Sequence, residues 1–263
     1  MITPQTDLAN AAFGDDPGRW PVAGATTAYE RWLRAVVAGG QGRYSSALTD
    51  LAAALRREPS GPLASLAHST RASFLRQLGW HDRARAWDGR ASALAGADRE
   101  AGGDALIGLA ADALGTGRFA ASERALQRAA DLLDGPAPAR LHVRFGWVSA
   151  ELAMARGQGS AAVQHAETAR AAAATLGSVR HSVKSDVVMA AALCCVGDVD
   201  GSRRVADAAL DDTEHHGMIP LRWALASLLA GIGSVTRSEV EVARIREASA
   251  DTVRSRGGVW AVR

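Results

Sequence analysis

Residues 106–129 read Leu106-Ile-Gly-Leu-Ala110-Ala-Asp-Ala-Leu114-Gly-Thr-Gly117-Arg-Phe119-Ala-Ala-Ser122-Glu-Arg-Ala-Leu-Gln-Arg-Ala129. Leu106, Leu109, Ala110, Ala113 and Leu114 fall three and four apart, a spacing that predicts an amphipathic helix. Gly117 closes that helix, because glycine takes the left-handed conformation without a steric penalty. A second helix then runs back from Phe119. Small residues at 110 and 122 let the two helices approach closely, and Ala129 offers a small site where the next element docks.

The pattern recurs along the chain. It reads Gly42-Arg-Tyr44-Ser-Ser-Ala47, Gly79-Trp-His81-Asp-Arg-Ala84, Gly157-Gln-Gly159-Ser-Ala-Ala162, Gly197-Asp-Val199-Asp-Gly-Ser202 and, most weakly, Gly233-Ser-Val235-Thr-Arg-Ser238. Successive glycines are 37, 38, 40, 40 and 36 residues apart. Alanine stands seven residues before each one (Ala35, Ala72, Ala110, Ala150, Ala190, Ala226). It also stands twelve after all but the last (Ala54, Ala91, Ala129, Ala169, Ala209), where Ile245 takes its place. A chain with 57 alanines in 263 residues does not readily produce such a register by composition. An internal repeat does.

One hairpin cannot bury its apolar face alone, so neighbours must stack. The expectation is an all-α fold, an α-α superhelix (solenoid) of about six antiparallel helix hairpins over residues 25–257, with glycine turns at 42, 79, 117, 157, 197 and 233. Residues 1–24 read as an arm or irregular cap with Trp20 docking on the first hairpin, and 258–263 as an apolar tail. Trp260 is expected to fold back as a cap or to reach into a second copy of the chain. Proline placement agrees: Pro4, Pro17 and Pro21 precede the first helix, Pro59, Pro62, Pro136 and Pro138 separate hairpins, and Pro220 opens the last. Thr236-Arg-Ser-Glu239 reads as a capping box for the final helix.

These marks resemble the tetratricopeptide repeat, whose unit of about 34 residues combines small residues, an aromatic and an alanine at fixed offsets. Ala110, Phe119, Ser122 and Ala129 match those offsets in the third hairpin; Tyr44, Ala47, Ala54 and Pro59 match them in the first. The units here are longer, and later ones lack the aromatic and the closing proline. The longer units also resemble the helical sensor regions of large bacterial transcription activators. Family members that clamp chaperone C-termini use paired asparagines with lysines. Asn10 is the only asparagine here and lies outside the repeats, so that clamp is absent.

Composition and motifs narrow the function classes. Net charge is +2, so no bulk field draws the chain to nucleic acid or to a membrane surface. No apolar run reaches the length of a membrane helix, and Met1–Asp15 lacks the pattern of a secretory signal; the expected compartment is the cytoplasm. Neither a phosphate-binding glycine loop nor a nucleophile or zinc motif appears. No catalytic residue, metal or cofactor is therefore expected. Cys194 and Cys195 read as buried packing thiols, and the Asp211–His216 cluster as a solvated helix end.

The resemblance implies that the first helix of each hairpin faces a concave groove. The residues it would present there include Arg144, Trp147 and Glu151 in the fourth hairpin, Lys184 in the fifth and Trp223 in the sixth. Arg140, His142, Arg180, His181 and Arg222 crowd the same helix ends, which carry partial positive charge. Arg144, Trp147, Glu151, Lys184, Arg222 and Trp223 are accordingly the candidate binding residues. The leading expectation is a non-enzymatic scaffold holding an acidic peptide or partner protein, with a homodimer formed through the termini as a further partner. The alternative is a ligand-responsive regulatory module without its own DNA-binding domain. An open groove favours a peptide; an enclosed pocket ringed by Arg144, Lys184 and Trp223 favours a small molecule.

Overall fold

A computed structural model describes residues 4–262; Met1, Ile2, Thr3 and Arg263 lie outside them. The described residues form 13 α-helices packed as sequential antiparallel pairs. Helix α1 (Pro4–Phe13) precedes six pairs. These are α2/α3 (Ala28–Gly40, Tyr44–Arg57), α4/α5 (Pro62–Gln77, His81–Leu94), α6/α7 (Arg99–Gly115, Phe119–Leu133), α8/α9 (Ala139–Ala155, Gly159–Leu176), α10/α11 (Val179–Cys195, Val199–His215) and α12/α13 (Ile219–Ile232, Glu239–Ser255). First helices of successive pairs also touch, as a stacked helical array requires.

The repeat register has a direct physical cause. All six alanines that precede the glycines are fully buried, and Ala47, Ala84, Ser122, Ala162 and Ser202 are buried opposite them. In the fifth pair the two positions touch: Ser202 Oγ donates to the Ala190 carbonyl at 2.7 Å. Any larger side chain there would push the helices apart. Gly117, at φ 72°, lets Arg118 N–H reach back to the Ala113 carbonyl at 2.8 Å, satisfying a carbonyl that the helix end would otherwise leave free.

Three expectations are corrected. The sixth turn is not tight: Gly233 ends α12, and residues 234–238 form a loop anchored on buried Asp207, which accepts from Ser234 Oγ at 2.6 Å and Val235 N–H at 2.7 Å. The capping box is Ser238 with Glu241, not Thr236 with Glu239, because α13 starts two residues later. The N-terminal arm contains a helix that begins at Pro4. Its Leu8, Ala11 and Ala12 are buried, and α1 packs on both α2 and α10. Trp20 does reach the first hairpin, lying 4.2 Å from the Arg43 guanidinium.

The last pair meets the first. Ser45 N–H donates to the Arg256 carbonyl at 3.1 Å, and Arg256 Nη1 to the Gln41 carbonyl at 2.8 Å. The tail runs on along the second pair, with Trp80 Nε1 donating to Val259 O at 2.7 Å and Ala261 N–H to Leu78 O at 2.8 Å. Trp260 folds back within its own chain and stacks on Trp223 at 4.3 Å between ring centroids. Helix α1 instead bridges the first pair and the fifth: it packs on α2 and α10, and Val179 N–H at the start of α10 donates to Gly14 O at 3.1 Å. Deleting residues 259–263 removes three hydrogen bonds made by the described residues of the tail, together with the half-buried Trp260, and is expected to lower unfolding free energy by about 1–3 kcal/mol in urea titration. An unchanged midpoint would mean the tail does not stabilise the array.

Candidate functional site

The inner helices line a partly open cavity of about 400 Å³. Its wall takes side chains from the first helix of every pair: Trp32 of α2, Arg76 of α4, Ile107 of α6, Arg144 of α8, Lys184 of α10 and Trp223 of α12 all reach it. Phe13 of α1 completes the lining and sits 5.7 Å from the Trp32 ring. The wall is largely apolar, with a charged arc on α4, α6, α8 and α10.

That arc is a set of buried ion pairs. Arg140 donates to Glu100 Oε1 at 2.7 Å and Asp104 Oδ2 at 2.6 Å, and Arg144 also contacts Asp104. Arg76 is held between Asp88 and Asp112, the latter at 2.9 Å, and Ser69 Oγ donates to Asp88 at 2.7 Å. Burial lowers the Arg76 proton affinity, but its two carboxylates more than offset that and hold it above the usual arginine range. Burial raises Asp112 to about 7, with Arg76 pulling the other way and Asp88 adding to the rise. Lys184 pairs with Glu151 at 3.2 Å, and Trp147 Nε1 donates to Ser185 Oγ at 2.8 Å. His181 stacks on Trp147 at 5.4 Å and lies 2.8 Å from Ser178 Oγ. Burial first, then Arg180, Arg140 and Arg144, push its pKa well below the usual value, so its ring is neutral.

Five of the six candidate residues, Arg144, Trp147, Glu151, Lys184 and Trp223, line the cavity. The sixth, Arg222, turns away: it donates to the Leu210 carbonyl at 3.3 Å and Glu214 at 3.1 Å, because one residue before Trp223 is about 100° around the helix. Arg140, Arg180 and His181 also line the wall, whereas His142 is exposed outside it. The candidate set left out Trp32, Arg76 and Asp104, all of which line the cavity.

Cys194 is half-buried and Cys195 exposed, so the expectation of buried thiols fails; both sit in the last turn of α10, where the helix runs out to solvent. Among the described residues, no group of His, Cys, Asp and Glu side chains is placed to hold a metal ion, and no helix is long and apolar enough to cross a membrane. Comparison of the sequence with protein-family models and with curated proteins finds no match.

Proposed function

We propose that this chain is a ligand-responsive regulatory module built on a tetratricopeptide-like superhelix, and that its ligand is a small molecule held in the central cavity. The observation that supports this reading is the convergence of all six first helices on one space, with Phe13 of α1 completing its wall and Trp260 of the tail packed on Trp223. Small-molecule sites are concave, mostly apolar spaces of roughly 300–1,000 Å³ with a few convergent polar groups. An extended peptide needs a groove it can enter and leave, and here Phe13 stands in the wall and Trp260 covers Trp223. The small ligand therefore takes precedence over the peptide scaffold.

A binding role rather than catalysis fits the polar inventory. Ser69 donates to Asp88, Ser73 to the Thr70 carbonyl at 2.7 Å, and Thr70 accepts from Trp32 Nε1 at 2.9 Å. The one carboxylate among these partners, Asp88, is itself held by Arg76, and among the described residues no histidine is hydrogen-bonded to any of the three hydroxyls. The test is a thermal-shift titration with the small-molecule and peptide fractions of a cell extract, on the intact chain and on Ala224→Phe, which fills the cavity. The small-molecule fraction is expected to raise the intact chain's Tm by several degrees and leave the variant unmoved. A rise with the peptide fraction alone, or an equal rise in the variant, would overturn the reading.

A further inference from the structure

The wall of the cavity is rich in positive charge. Arg76, Arg140, Arg144, Arg180 and Lys184 line it, against Asp104 and Glu151. Carboxylates behind the wall complete most of the pairing: Asp88 and Asp112 hold Arg76, and Glu100 holds Arg140. One cation is left over. Arg180 has neither an ion pair nor a hydrogen bond among the described residues.

The fold nevertheless makes room for it. Gly40, at the last turn of α2, faces Arg180 of α10; a Cβ there would lie 3.1 Å from Arg180 Cδ. The bare glycine is what lets the arginine stem pass. On the far side, Arg140 and Arg144 stand one turn apart on α8 and share Asp104. Burial together with neighbouring cations lowers both Arg144 and Arg180 to about 10, which still leaves both charged at pH 7. An unmatched guanidinium beside other cations, on the wall of a largely apolar cavity, is costly unless an anion sits against it.

We propose that the cavity takes a flat, aromatic or apolar molecule bearing a single carboxylate, with the carboxylate on Arg180 and Arg144 and the ring among Trp32, Trp147 and Trp223. This rests on the cavity being the ligand site. Five carboxylates already stand against the five cations, which favours a monoanion over a phosphate dianion, and the free guanidinium fork of Arg180 meets a carboxylate through two parallel bonds. The indole rings supply large apolar faces at low entropic cost. Arg180 lies outside the groove positions that the repeat resemblance implies.

The test uses indole-3-acetate, its neutral analogue indole-3-acetamide and inorganic phosphate as probes, read by thermal shift and calorimetry. The acid is expected to bind the intact chain, and both amide and phosphate to bind about tenfold or more weakly. Arg180→Met is expected to lose that preference for the acid, while the exposed-site control Arg204→Met keeps it. Without probe, Arg180→Met should have a Tm equal to or above the intact chain's, since an unpaired buried charge is removed; a merely structural arginine would give a lower one. Equal binding of acid and amide, abolished by Ala224→Phe, would overturn the anion inference and leave the cavity reading standing. Binding of the acid undiminished in Ala224→Phe would overturn both, with Ala111→Phe replacing that variant if it fails to fold. No binding of the acid at millimolar concentration would overturn the carboxylate inference.

Discussion

Replacing Arg76 by methionine is expected to lower the unfolding free energy at pH 8 by about 3–5 kcal/mol, the usual cost of stripping a buried ion pair of one partner. Asp88 and Asp112 are fully buried, and Arg76 is the cation that both contact. The pH dependence gives the result its signature. An aspartate with a pKa of 3.8 when unfolded and about 7 here binds protons more tightly in the fold, so its contribution falls as pH rises between those values. Without the arginine Asp112 loses the cation that lowers its pKa and holds its proton to still higher pH. The deficit of Arg76→Met should therefore shrink at pH 5, where Asp112 is protonated. Urea denaturation at the two pH values checks this; a deficit of the same size at both would rule out the charge explanation.

Gly108→Ala should destabilise the chain by about 2–4 kcal/mol, although alanine is the better helix former by roughly 1 kcal/mol. A Cβ at 108 would overlap the Asp88 carboxylate, whose atoms lie as close as 2.3 Å to its position. That carboxylate cannot move aside, being held by Ser69 and Arg76. Gly89 provides the contrast. It lies on the exposed side of α5 with nothing within 4 Å of a Cβ, so Gly89→Ala should gain about 0.5–1 kcal/mol. Thermal and urea unfolding of the two variants separates helix propensity from the close approach of α6 to α5. A gain in both would show that the Asp88 site yields.

The two variants also mark the limit of pattern reading. Gly117 announces its turn in the sequence because a left-handed residue must be small wherever the turn occurs. Gly108 carries no such local signal: it must be small because of Asp88, twenty residues earlier. Asp207 behaves in the same way, since the loop it anchors lies on the next hairpin and looks in sequence like a weaker copy of the other turns. The capping-box error has a related origin. Two overlapping candidates, Thr236 with Glu239 and Ser238 with Glu241, are chemically alike, and the pull of Asp207 on residues 234 and 235 decides between them.

The candidate site divides along the same line. Offsets from the turn glycine were enough to place Arg144, Trp147, Glu151, Lys184 and Trp223 on one wall, because helical period carries a side chain's direction through each hairpin. Arg222 was misplaced by a single residue, which on a helix is a quarter turn. Arg180, the cation of the cavity wall without a partner among the described residues, stood out only as a member of a basic cluster. Its isolation depends on which carboxylates the neighbouring helices bring near, and that is a property of packing.

What the sequence determined by itself is the all-helical class, the number of hairpins, five of the six tight turns and the small residues at each crossing. These are local or fixed-offset constraints, repeated until composition cannot explain them. The tertiary structure alone decided that the last pair meets the first, that α1 and Trp260 pack against the inner helices, and that those helices line one partly charged cavity. Which pairs meet depends on how successive pairs pack along the whole chain, and no single residue or motif encodes that.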